Sequence, residues 1–159
     1  VFETYKALRR LGLNIDILPP DTAELSAYKL VLAPGVATLS APFLAALQTY
    51  QGTALIGPRS NCKTPDFATP IPLPPNLPGL DATIARVESL PPDVPVPLSQ
   101  GGNFLHWREK LEGSALVIET ATDGWPAIVA ANNLHYLAGW PDEEAFARAS
   151  LKKLLSLTD

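Results

Sequence analysis

Apolar positions along the chain change their period several times, and each change marks an element. In "VFETYKALRRLG" the residues Phe2, Tyr5, Leu8 and Leu11 recur every three positions, which predicts a helix stopped at Gly12. "LNIDILPP" reads as a short strand closed by two prolines. "YKLVLAPG" reads as a second strand, and its continuous Leu30-Val31-Leu32-Ala33 run suits a sheet buried on both faces. "LSAPFLAALQTYQG" predicts a helix with Ser40 as N-cap and Pro42 in the first turn. Phe43, Leu47 and Tyr50 share one face of it, and Gly52 ends it. "TALIGP" follows as a third buried strand. This alternation predicts an α/β domain with a parallel sheet and helices on its faces.

The second half follows other rules. Residues 65–97 hold ten of the chain's 17 prolines, and between the proline clusters "DATIARVESL" alternates like a half-buried strand. A long ordered excursion over the surface, with one strand inside it, is expected. "NFLHWREKL" is read as a short helix and "SALVIETA" as a strand. "WPAIVAANNLHYLAGW" is read as a hairpin turning at Asn132-Asn133, where asparagine tolerates positive φ. The last element, "DEEAFARASLKKLLSL", predicts an amphipathic helix capped by Asp142. Glu143 and Glu144 suit its positive end, Lys152 and Lys153 its later turns, and Ala147, Leu151, Leu154 and Leu155 its buried face.

Composition narrows the function classes. Twelve basic against 16 acidic residues, scattered, give a net charge of −4, which argues against a nucleic-acid partner. No apolar run approaches the ~18 residues that span a bilayer, so no membrane partner is expected. A single cysteine is compatible with a reducing cytoplasm, the expected location. There is no methionine, and the chain starts inside a predicted helix. Residues 1–159 are therefore expected to be one domain cut from a longer protein.

Candidate chemistry is sparse. Cys62, in "LIGPRSNCKTPDF", follows the third strand, with Arg59 and Lys63 as the charges nearest in sequence. No glycine flanks it to permit a strained turn. His106 and His135 have no second ligand at a recognised spacing, so neither a metal nor a cofactor is implied. "SQGGN" lacks the lysine and the spacing of a phosphate loop and is read as a turn.

The strand ends Pro34-Gly35 and Gly57-Pro58-Arg59 resemble the frame of the class I glutamine amidotransferases. That resemblance implies a flavodoxin-like, three-layer α/β/α sandwich with a mostly parallel central sheet, here with a C-terminal hairpin. In those enzymes a G-x-C-x-G turn carries the nucleophile, and a histidine before Pro-Glu carries the base. Here the corresponding positions are degenerate. Pro58 stands in the turn without an N–H to offer an oxyanion, and Trp140 precedes Pro141-Asp142.

A longer resemblance covers nearly all of the chain. "YKALRRLGLNIDILPPD", "YKLVLAPG", "GPRSNCKTPDF", "LPGLDATIARVESLPP" and "YLAGWPD" occur in an order similar to the trimerisation domain of family 42 glycoside hydrolases, the bacterial β-galactosidases. The resemblance implies a non-catalytic module that follows a (β/α)₈ barrel in the same chain and holds a homotrimer together. The parent would cleave terminal β-D-galactosides with two barrel glutamates. Arg59, Lys63, Asp66, Trp107 and Arg108 would then either border a neighbouring subunit's substrate cleft or anchor loops and the barrel interface. Two other readings stay open, an amidotransferase-like hydrolase using Cys62 and a flavodoxin-like domain binding a phosphate-bearing ligand at Gly35 and Gly57.

Overall fold

A computed structural model describes the backbone of residues 2–155 and the side chains of residues 2–149. Helix α1 (Phe2–Arg10) ends where Gly12 adopts φ +77° and the Gly12 and Leu13 N–H groups bond back to Arg9 and Leu8 carbonyls. Ala7 and Leu8 are its buried residues, whereas Phe2 and Tyr5 of the predicted stripe are exposed. The strand expected at 13–20 does not form. Leu13, Ile15 and Leu18 pack against the core, but the segment joins no ladder, and a cleft of about 430 Å³ lies between it and the next strand. Alternating burial alone does not require a hydrogen-bonded neighbour.

Strand β1 (Leu30–Ala33), helix α2 (Ala41–Thr49) and strand β2 (Thr53–Ile56) form the expected parallel unit, with Leu30 opposite Thr53. The Ser40 side chain accepts from the Phe43 N–H at 3.2 Å, so the predicted cap is present. In chain order there follow β3 (Thr83–Ser89), β4 (Val96–Pro97), β5 (Asn103–Glu112), β6 (Leu116–Thr120), β7 (Pro126–Ala131), β8 (Leu134–Leu137), β9 (Gly139–Pro141) and helix α3 (Glu143–Leu155).

The first sheet runs β1-β2-β8-β7-β6 and is mixed, not mostly parallel. β1, β2 and β8 are parallel neighbours, while β8–β7 and β7–β6 are antiparallel. The Asn132-Asn133 turn explains the change of direction. Two residues can reverse a chain, but they cannot make the crossover that a parallel pair needs. Asn132 takes φ +53° there, as expected of that residue.

A second, antiparallel sheet pairs β5 with β3, β4 and β9. It contains the clearest correction: "NFLHWREKL" is strand β5, not a helix. His106 sits at φ +64°, and the register against β9 shifts between Phe104 and Arg108. This is a β-bulge, and the extra residue changes the parity of the strand. Phe104, Glu109 and Leu111 therefore all point inward, a spacing that a regular strand does not give.

Asp142 caps α3 through the Ala145 N–H at 2.8 Å. Ala145, Phe146 and Ala149 are buried and Ala147 half-buried, while the side chains of Leu151, Lys152, Lys153, Leu154 and Leu155 lie outside the described residues. Arg148 ties the helix to β6 through both carboxylate oxygens of buried Glu119, at 2.8 and 2.9 Å. Among the described residues no helix is long and apolar enough to cross a membrane.

Candidate functional site

The carboxyl ends of β1 and β2 are where an open α/β sheet binds its ligand. Two turns meet there. Ser60, fully buried, bridges them: its hydroxyl donates to the Ala33 carbonyl and accepts from the Val36 N–H, both at 3.2 Å. After β2 two residues are left-handed, Arg59 at φ +62°, one position beyond Pro58, and Asn61 at φ +53°. A side chain held in that region marks a strained turn. Cys62 lies three residues beyond Arg59, half-buried, with its thiol donating to the Arg59 carbonyl at 3.0 Å.

The N–H of that turn is already bound. Arg59 N donates to Glu109 Oε1 at 2.8 Å, the Trp107 indole donates to the same oxygen at 3.2 Å, and the Tyr136 hydroxyl donates to Oε2 at 2.6 Å. Glu109 is 2% exposed and Tyr136 not at all. Burial pushes the Glu109 carboxyl above its ordinary value, against the pull of its three donors and of the Arg59 charge. Burial, with the Glu109 charge beside it, drives the Tyr136 phenol upward too. The carboxylate thus joins the turn after β2 and strand β8 of the first sheet to β5 of the second. An acyl-transfer site needs a free N–H aimed at a developing negative charge. Here an acidic oxygen takes that position.

The glycine loop is closed in a similar way. Gly35 has φ +69°, and a Cβ placed on it would overlap the Trp140 ring; a Cβ on Gly57 would fall 3.0 Å from Pro34 Cα. These glycines serve the close approach of protein to protein. Beside Trp140 a cleft of about 660 Å³ opens under α1, lined by Leu32, Pro58, His106 and Phe146 among others.

The five residues singled out from the sequence fall into three places. Arg59 and Trp107 come together, the guanidinium lying 4.9 Å from the ring centroid, a cation–π distance. Lys63 and Asp66 sit on the next turn, 63–67, Lys63 bonded through its N–H to the Ala37 carbonyl. Arg108 is remote from them in its bonding, held at 2.6 Å by both Glu88 and Asp123. Lys110 and Arg108 in turn keep the Glu88 carboxyl below its ordinary value, against the effect of burial. His135 is buried within β8, and among the described residues no cluster of side chains is suited to a metal. Sequence reasoning missed Ser60, Glu109 and Tyr136. Glu109 was findable only with the bulge in hand, since in "WREKLE" nothing else separates it from Glu112.

Known proteins share this fold. A family model described as the β-galactosidase trimerisation domain matches residues 1–156. The chain belongs to that family. A β-galactosidase of Thermus thermophilus is 37% identical over 154 residues, covering 93% of this chain and 24% of that protein. Among solved structures, the β-galactosidase of the psychrophilic Marinomonas ef1 is 30% identical with a TM-score of 0.87, covering 98% of this chain and 24% of that one. The polyextremophilic β-galactosidase of the Antarctic haloarchaeon Halorubrum lacusprofundi is 26% identical with a TM-score of 0.82, covering 95% and 25%. This β-galactosidase trimerisation domain therefore spans about a quarter of the length of the relatives it matches.

Proposed function

We propose that this chain is the non-catalytic assembly module of a homotrimeric β-galactosidase, joined to an N-terminal (β/α)₈ barrel that hydrolyses terminal β-D-galactosides in the cytoplasm. The observation that carries the reading is the family match over residues 1–156. The strand ends are consistent with it. In this reading the domain has an amidotransferase-like, three-layer frame in which Pro58 stands in the nucleophile's turn and Trp140 in the place of the base. Glu109 and Trp140 convert the former reaction site into a packed joint. Arg59 and Trp107, stacked and partly open, are the members of the predicted set best placed to meet a neighbouring subunit.

The test uses the full-length protein and the isolated chain side by side. The full-length protein is expected to sediment as a trimer and to hydrolyse o-nitrophenyl β-galactoside. The isolated chain is expected to turn over neither that substrate nor glutamine, and to associate only weakly. A full-length protein that stays monomeric over a hundredfold concentration range would overturn the reading, as would glutaminase activity that survives re-purification.

A further inference from the structure

The cleft under α1 opens over the carboxyl ends of all three parallel strands. Leu32 and Pro34 line it from β1, Leu55 and Pro58 from β2, and Leu137 from β8. An open α/β sheet binds its ligand at that end. Trp140 and His106 line it from the second sheet, with His106 exposed at the β5 bulge. The carboxylates that could orient a small ligand there are already engaged. Asp142 accepts from the Ala145 N–H at 2.8 Å and from Asn103 at 2.9 Å, Glu3 is held by Lys6 at 2.8 Å, and Glu143 by Arg10. A small-molecule site needs a few polar groups aimed inward from an apolar lining, and here the lining remains while the carboxylates face other partners. Nor does α1 fill the space. Its buried residues are Ala7 and Leu8, and Phe2, which lines the cleft, is 69% exposed. The cleft of about 430 Å³ on the other flank also reaches Thr4, Leu32 and Pro34, so the first turn of the helix has open space on both sides.

We propose that this cleft is the socket for the chain leading into α1: the residues preceding Val1 fold back over Leu32, Pro34 and Trp140 and lay apolar side chains there, an inference that rests on the reading above that a barrel precedes this chain. Continuity favours this occupant. Phe2 and Glu3 themselves line the cleft, so whatever comes before them starts at its edge. A space of about 660 Å³ is roughly 11 Å across, a span of three or four extended residues. A tethered segment is present there at an effective concentration on the order of millimolar, and a second copy or a free ligand would have to displace it. Length is available, because this chain spans only 24% of the Thermus thermophilus relative. Leu32, Pro34, Leu105, Trp140 and Pro141 are half-buried, and covering them removes apolar surface from water. The crevice that takes a ligand in other α/β sheets thus takes the protein's own linker, and α1 is locked to the sheet at the point where the barrel is joined.

The experiment places a photo-cross-linker on the β5 wall of the cleft in the full-length protein, His106→p-benzoylphenylalanine, and irradiates an equal mixture of isotopically light and heavy protein. A link within one chain to the peptide that runs directly into Val1 is the expected result. Light-to-heavy links, links only to the body of the barrel or to α1, or no links overturn the socket while leaving the assembly reading intact. A full-length protein with no barrel before Val1 overturns both. As a second measurement, serine in place of the apolar residues of that peptide, again in the full-length protein, is expected to speed amide exchange in α1 by at least about tenfold with exchange in β7 unchanged. Unchanged exchange in α1 overturns the socket.

Discussion

Two carboxylates are buried to almost the same degree, Glu109 at 2% and Glu119 at 3% exposure, and they are satisfied in different ways. Glu119 faces a guanidinium: Arg148 grips both its oxygens, and the Gln100 N–H adds a third bond at 3.1 Å. Glu109 has only neutral donors in hydrogen-bond contact, a backbone N–H, an indole and a phenol. The difference follows from what each one joins. Glu119 fastens a helix to a strand, where a long arginine reaches across from a neighbouring layer. Glu109 sits where two sheets meet, and is held by a turn N–H and two aromatic side chains, while the Arg59 guanidinium stacks on Trp107 instead of pairing with it. A cation compensates the cost of burying charge. Neutral donors compensate only part of it, and the raised Glu109 carboxyl is the remainder.

The largest effect is expected from breaking the charged pair. Arg148→Ala leaves Glu119 buried without its cation and should cost about 3–5 kcal/mol, read as a lowered urea midpoint. Replacing both partners by leucine should cost much less, because no orphaned charge remains. If the single and double variants lose the same stability, the ion pair is not what anchors α3.

The neutral joint should respond differently. Glu109→Ala strands three buried donors and should cost about 3 kcal/mol, whereas Glu109→Gln keeps an acceptor and should cost about 1 kcal/mol near pH 4. The pH dependence has a definite sign. Because the folded carboxyl is raised above 4.5, the folded state holds its proton more tightly than the unfolded one. The wild type therefore loses stability as pH rises from the unfolded value through the folded value. The glutamine variant lacks that loss and should gain on the wild type across the same window. Denaturant titrations from pH 4 to 8 that run parallel for the two proteins would contradict this.

The smallest effect tests the joint's neighbour. Cys62→Ser can keep the bond to the Arg59 carbonyl and should change stability by less than about 0.5 kcal/mol, with no change in assembly. Labelling of Cys62 much faster than a free thiol at neutral pH would show an activated sulfur and reopen the hydrolase reading.

The contrast between the two carboxylates also marks what the sequence discloses. Local rules located α1, α2, the β1-β2 unit, the β7-β8 hairpin and both helix caps, because Ser40, Asp142, Gly12 and Asn132 act on their immediate neighbours. The direction of β7 and β6 was already implicit in the two-residue turn, although the alternation earlier in the chain suggested a parallel sheet. Strand β5 stayed hidden because a bulge at His106 gives its apolar residues a helix-like spacing. The Glu109 joint depends on that bulge and on partners 27 and 50 residues away, and pairings at that distance leave no periodic trace. The segment 13–18 erred the other way, buried like a strand but paired with nothing.

The Arg59 amide carries a consequence of its own. Its proton is held by the buried Glu109 carboxylate, so it exchanges only when that bond opens. Exchange there as slow as at Ile56, in a strand paired on both sides, means that the turn and the first sheet open together. Faster exchange would mean that the turn after β2 releases the carboxylate on its own, and this one amide would clock how often it does so.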